Sequence, residues 1–151
     1  MHESILNILY FDSAHAIQVH DWIIEHSGGR SGVINISNLE APLDFIKNDL
    51  YYPSIEEKLT YLVYSINKNH AFNDGNKRSS IALGAYFLEI NGYEYLVKNF
   101  IIEMENIAVW VADNIIDRDF LKEIIESLLF EDDYSEELKL KIANLPFKTI
   151  N

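Results

Sequence analysis

The run His70-Ala71-Phe72-Asn73-Asp74-Gly75-Asn76-Lys77-Arg78 separates two apolar stripes of helical period, so its reading decides the fold. It brings together a proton acceptor (His70), a hard carboxylate (Asp74), turn-forming residues and two cations (Lys77, Arg78). The first backbone N–H groups of a helix are unpaired and the macrodipole is positive there, so a helix N-terminus favours anions. Lys77 and Arg78 fall in the first turn of the following segment, where the dipole disfavours cations. A bound polyanion resolves that conflict. The run therefore reads as a phosphate-binding loop with a base at its upstream edge, and it predicts an enzyme that acts on a nucleotide.

The flanking segments read as helices. Upstream, Ser54 and Glu57 form a capping box after Pro53, and Leu59, Leu62, Val63 and Ile66 make one apolar stripe ending near Asn69. Downstream, a helix is predicted from about Asn76 to Ile90, closed by Asn91-Gly92 and apolar on most sides, as a central helix is. Further out, Asp12 or Ser13 caps a first helix to about His26, with Ala16, Val19 and Ile23 inward and Gly28-Gly29 as the stop. Residues 30–35 read as irregular or weakly extended. Ser37 and Glu40 have capping-box spacing for a short helix containing Pro42. Ile101, Met104, Ala108, Val111 and Ile115 recur at helical spacing, as do Phe120, Ile124 and Leu128, and a last helix is predicted over 135–143. The expectation is one all-α domain over residues 1–151, with 117–151 as a C-terminal helical appendage.

Each loop residue has a chemical and a structural reading. His70 can accept a hydroxyl proton at neutral pH. Asp74 is a hard oxygen ligand, sufficient for magnesium when phosphates and water supply the rest, but Asp is equally a helix N-cap. Gly75 permits close approach to a phosphate or a positive φ. Asn76 can donate its amide to a phosphate or be the N-cap itself. Lys77 and Arg78 offer compact and forked charge to phosphates. Phe72 reads as the anchor of the loop in the core. His15, His20 and His26 are five and six residues apart, which does not stack them on one helix face, so no metal cluster is expected. Ser79 and Ser80 read as solvated or bonded to the previous turn.

Bulk properties exclude several classes. The formal net charge of −12 opposes non-specific nucleic-acid binding. The absence of cysteine excludes disulfides, thiolate metal sites and a cysteine nucleophile. No stretch approaches the length of a bilayer span, and residues 1–12 lack a basic n-region and a long apolar run. A soluble cytoplasmic protein with no membrane partner is the resulting expectation.

The run resembles the signature of the Fic/Doc (Fido) superfamily, His-x-Phe-x-(Asp/Glu)-(Gly/Ala)-Asn-(Gly/Lys)-Arg, with an allowed residue at every fixed position. The resemblance covers roughly residues 14–97. Ser27-Gly28-Gly29, Gly32, Leu39-Glu40-Ala41 and Phe87-Leu88-Glu89-Ile90-Asn91-Gly92-Tyr93 are similar to the death-on-curing (Doc) branch. It implies a compact helical bundle whose motif loop links two central helices, with a small upstream flap, here within residues 30–39, that aligns a target segment. It implies His70 as the general base toward a Ser, Thr or Tyr hydroxyl of a target protein, and Asp74 as the magnesium ligand. It also implies Gly75, Asn76 and Arg78, joined by Lys77, as the groups that hold the phosphates of ATP.

Two positions decide the branch. AMP-transferring relatives have Gly where this chain has Lys77, and a second Arg where it has Ile81; Doc-type proteins have the Lys and lack that Arg. In the Doc branch the nucleotide lies in the opposite sense, with the γ-phosphate facing the hydroxyl. Gly75 departs from Doc, which has Ala there. The resemblance thus implies a toxin kinase whose target is elongation factor Tu and whose inhibitor is a separate antitoxin. AMP transfer is the alternative, and a catalytically inactive Fic-fold binding module is a further one. Residues 127–132, Ser-Leu-Leu-Phe-Glu-Asp, approach the self-inhibitory (Ser/Thr)-x-x-x-Glu-(Gly/Asn) pattern but fail at the last position.

Overall fold

A computed structural model describes residues 7–147. It is all-helical: α1 (Ser13–Ser27), α2 (Ser37–Phe45), α3 (Ile55–Lys68), α4 (Asn76–Ile90), α5 (Val97–Ala112), α6 (Arg118–Phe130) and α7 (Glu136–Ala143), with a 3-10 turn at Glu94–Leu96. Helices α3 and α4 are the centre: α3 packs against α2, α4, α5 and α6, and α4 against α1, α3 and α5. The motif loop joins these two helices.

Most helix starts follow local capping chemistry. The Asp12, Ser54, Asp117 and Ser135 side chains accept from the backbone N–H of His15, Glu57, Phe120 and Leu138. Glu57 does not complete the box; its carboxylate instead takes the Lys122 ammonium of α6 at 3.0 Å. The box expected at Ser37 does not form. Ser37 lies inside α2, and its N–H goes to the Asn35 side chain at 3.0 Å. Helix α4 runs over the expected residues and ends at Asn91. The Asn91 amide bonds the Phe87 and Leu9 carbonyls and accepts from the Leu9 N–H, tying the chain ahead of α1 to the end of α4.

The core is one cluster threaded through α3, α4, α5 and α6, with Leu59, Leu62, Leu83, Phe87, Phe100, Met104, Leu121 and Ile124 essentially inaccessible. Gly84 sits where α4 meets α3 and α5. A Cβ there would lie 2.8 Å from Val63 Cγ2 and 3.1 Å from the Phe100 ring, so α4 needs a side-chain-free position to seat against α3 and α5. The α5 stripe buries Met104, Ala108 and Val111 as expected, but at its start Phe100 is buried in place of Ile101, which is exposed. Helix α6 buries Leu121, Ile124 and Ile125 in the common core. Lys58 is buried, with Nζ donating to the Ile46 carbonyl and to Asp49 at 2.6 and 2.7 Å, and this fixes the α2–α3 connection. No helix among the described residues is long and apolar enough to cross a membrane.

Candidate active site

The motif loop, residues 69–75, is held from three sides. Upstream, residues 30–38 run antiparallel beside it with a single bridge between Val33 and Phe72. Ile34 and Asn35 donate to the Ala71 carbonyl, Asn73 donates to the Gly32 carbonyl, and the Asn73 amide reaches the Ser31 carbonyl. This strip lies where the flap was expected, and Val33, Ile34 and Ile36 on it expose apolar side chains. Beneath the loop, Phe72 is fully buried, the anchor expected of it. Across the loop, Asn76 closes a ring with Phe72: its Oδ1 accepts from the Phe72 N–H at 3.2 Å and its Nδ2 donates to the Phe72 carbonyl at 3.0 Å.

The N-cap of α4 is Gly75, at φ +78°, rather than Asp74 or Asn76. Its left-handed conformation is one that glycine adopts without strain. The first helical ring closes from the Ser79 N–H to the Gly75 carbonyl, and no side chain caps the helix. The N–H groups of Asn76, Lys77 and Arg78 precede that ring and are free to meet an anion.

Asp74 stands at this opening. Its Oδ2 accepts from the Arg30 N–H at 3.1 Å and its Oδ1 from the Gly75 N–H at 2.9 Å. These two backbone bonds, Arg30 first, hold its carboxyl below the ordinary aspartate range. Desolvation opposes them, and the Arg78 and Arg30 charges add to them. The carboxylate is therefore ionised and partly exposed, and each oxygen keeps a further lone pair. That donor set fits a magnesium ion completed by phosphate and water.

Arg78 is positioned by α1. Its Nη1 donates to Ser27 Oγ at 2.7 Å and to the Gly28 carbonyl at 2.8 Å, while Nη2 lies 4.0 Å from Asp74. The C-terminal end of α1 is negative, so a cation there is favourable. Gly29 makes room: at φ +120°, a Cβ would stand 2.8 Å from Asp74 Oδ2 and 2.9 Å from Arg78 Nη2. Lys77 is exposed. Ile81 is half-buried against the core.

His70 is exposed at the upstream end of the loop with φ +50°, a conformation unusual for a residue with a side chain. Its ring makes no hydrogen bond among the described residues. The other histidines diverge. His15 stacks on Tyr86, and His26 stacks on Trp22 and bonds its carbonyl. His20 is fully buried under the loop. Ser79 and Ser80 are buried rather than solvated; Ser80 Oγ bonds the Lys77 carbonyl at 2.6 Å, the back-bonding expected. In the 127–132 segment, Ser127 Oγ donates to Glu131 at 2.7 Å, closing the end of α6.

Sequence reasoning gave no site role to His20, to Arg30 or to the Ser27-Gly28-Gly29 corner, which it read as the stop of α1 and as part of the family resemblance. One signal was present for His20. It falls in register with Ala16 and Ile23, the i, i+4, i+7 face of α1, where a polar side chain needs a buried partner. Val19, assigned to that face, is only half-buried.

One loop of the helical bundle thus carries an anion-ready helix start, an ionised carboxylate and an exposed imidazole. The Fic/DOC family model matches residues 10–88, more than half the chain, and the chain belongs to that family. It is similar to "Toxin Doc" of Mycolicibacterium smegmatis (strain ATCC 700084 / mc(2)155), at 44% identity over 43 residues. That match takes in 28% of this chain and 33% of the relative, so the chain spans about a third of the length of the curated relative it matches.

Proposed function

We propose that this chain is a Doc-type toxin that transfers the γ-phosphate of ATP to a hydroxyl side chain of a target protein. The observation that carries the reading is the motif loop itself. An unbonded imidazole at its upstream end and a helix start with free N–H groups at its downstream end flank one ionised carboxylate. Three features support phosphate binding there: the free N–H groups of Asn76, Lys77 and Arg78, the Arg78 fork, and the close approach that Gly75 allows. Magnesium held by Asp74 would neutralise phosphate charge.

In this reading His70 accepts the proton of a Ser, Thr or Tyr hydroxyl presented along the 30–38 strip. The hydroxyl oxygen forms the new bond to the γ-phosphorus. The bond from that phosphorus to the β–γ bridging oxygen breaks, and ADP leaves. Such a reaction is mostly positioning and charge neutralisation, so the placement of one cation changes which phosphate is in line. The exposed Lys77 and the apolar Ile81 support the γ-phosphate orientation. Gly75, where Doc has Ala, supports AMP transfer as the second reading.

The family resemblance implies elongation factor Tu as the target, in the cytoplasm, and the similarity to Toxin Doc supports a toxin with a separate antitoxin as partner. The packing of α6 on α3 supports reading residues 1–151 as one domain, with the unmatched 117–151 segment as its C-terminal helical appendage. Induced expression in a bacterial host tests the enzymatic reading. Growth arrest by the wild-type chain and none by His70→Ala is expected. Arrest by His70→Ala equal to wild type would overturn it.

A further inference from the structure

We propose that His20 is a positioning residue for the transfer reaction: from beneath the motif loop it fixes the peptide that orients the Asp74 carboxylate. The inference rests on the reading of Asp74 and α4 as the phosphate site. His20 lies on α1, 54 residues from Asp74, and is completely buried. Its Nε2 is 2.7 Å from the Asp74 carbonyl oxygen. A carbonyl only accepts, so Nε2 carries the proton and His20 is the donor. The ring lies flat on Phe72, with centroids 3.8 Å apart and planes 5° from parallel. His20 therefore grips the loop twice, by a hydrogen bond at residue 74 and by stacking at residue 72.

The consequence follows from peptide planarity. The Asp74 carbonyl and the Gly75 N–H belong to one rigid unit. His20 holds the oxygen end, and the other end donates to Asp74 Oδ1 at 2.9 Å. Fixing the carbonyl thus fixes the direction in which the carboxylate is held, and with it the entry into α4. Gly75 is part of the same fit, because a Cβ there would lie 3.5 Å from His20 Nε2. The other ring nitrogen, Nδ1, is buried without a hydrogen-bond partner, 3.6 Å from Asp21 Oδ1. A histidine kept only for packing has no need of this orientation; Phe or Leu fills the same space without burying an unsatisfied atom.

Two measurements test it without nucleotide or target, so a failure of the transfer reading leaves them standing, and a transfer assay adds a third. The first is an imidazole nitrogen–proton correlation spectrum of the wild-type protein. A protected proton on Nε2 of His20 is expected. A ring with its proton on Nδ1 and none on Nε2, or a rapidly exchanging Nε2 proton, would overturn the proposal. The second compares His20→Phe, which keeps the stacking, with His20→Gln, which restores an amide donor. His20→Phe is expected to speed hydrogen exchange at the Phe72, Asn73 and Gly75 amides by roughly three- to tenfold, the value of one hydrogen bond. Exchange in α3 and α5 should stay unchanged, and His20→Gln should recover part of the protection. In the transfer assay, His20→Phe is expected to lower kcat more than it raises KM for the target. Loop exchange in His20→Phe equal to wild type would overturn the proposal. So would an exchange increase spread evenly over the helices, which is the mark of a packing role.

Discussion

The guanidinium of Arg78 is bound to the Gly28 carbonyl at 2.8 Å, so the cation that faces the candidate phosphate site is anchored on the last turn of α1 rather than on its own helix. One Nη1 serves both Gly28 and Ser27, and Nη2 remains directed toward Asp74. A lysine has no fork to make both contacts. Arg78→Lys is therefore expected to weaken Mg–ATP binding by about tenfold or more, the scale of a charge-assisted bond. Calorimetric titration of both proteins reads this directly, and equal affinity would contradict the role given to Arg78.

Gly29 is predicted to be intolerant of any side chain, for two reasons. Its φ of +120° strains other residues, and an added Cβ would meet Asp74 Oδ2 and Arg78 Nη2 inside 3 Å. Because those are the ends of site side chains, the damage falls on function as well as fold. Gly29→Ala should lose on the order of a hundredfold in transfer rate through misplacement of the site. Its stability should fall by about 1–3 kcal/mol, the backbone strain that the left-handed φ imposes. A full-rate Gly29→Ala protein would show that the corner is not part of the site.

Much of this site was legible because its chemistry is local. The motif run, the Ser54 cap and the Asn91-Gly92 stop are read from neighbours in the chain, and α3 and α4 formed where those signals put them. What was not legible depends on contacts far along the chain. His20 finds its partner 54 residues away and Arg78 finds its partner 50 residues away, and no spacing rule reports such a pair. Only the first position of the α5 stripe was misread, because Val97 to Val111 is apolar at too many positions for the period alone to choose between Phe100 and Ile101. The contact of Phe100 with Gly84 makes that choice. The Ser37 cap failed for a similar reason: Asn35, held by its own bond to Ala71, reaches the Ser37 N–H first.

His70 carries backbone strain at φ +50° and makes no side-chain hydrogen bond among the described residues. His70→Gly should therefore be no less stable than wild type. Relief of about 1 kcal/mol of left-handed strain offsets the extra freedom of glycine in the unfolded chain. The same variant should lose roughly a hundredfold or more of transfer activity, the usual contribution of a general base. Chemical denaturation and a transfer assay on one preparation check both halves. A large loss of stability would mean that His70 is structural.

The acid side of the stability profile should carry the mark of Asp74. Its folded-state pKa is lowered, chiefly by the Arg30 and Gly75 N–H bonds. Its contribution is therefore fully present above the unfolded value, about 3.9, and is lost as pH falls through the lower folded value. The stability gap between wild type and Asp74→Asn should be constant at neutral pH and close within that acid window. A gap that persists to the lowest accessible pH would contradict the assigned bonding.

Packing at the centre of the bundle predicts the response of Gly84. Gly84→Val introduces a Cβ where Val63 Cγ2 stands at 2.8 Å, plus two methyl groups beyond it. Overpacking of this kind costs about 1–3 kcal/mol, more than a helix gains by losing a glycine. A lowered urea midpoint with an unchanged slope is expected. An unchanged midpoint would mean that α3 and α5 give way at that crossing.

The central claim is that His70 directs the γ-phosphate of ATP onto a protein hydroxyl. The most direct measurement incubates purified wild-type protein and His70→Ala with bacterial lysate, magnesium, and ATP labelled at either the γ- or the α-phosphate. Label on a lysate protein from γ-labelled ATP alone, absent with His70→Ala, is the predicted result. Label from α-labelled ATP would contradict the claim and make the protein an AMP transferase in which Lys77 does not invert the nucleotide.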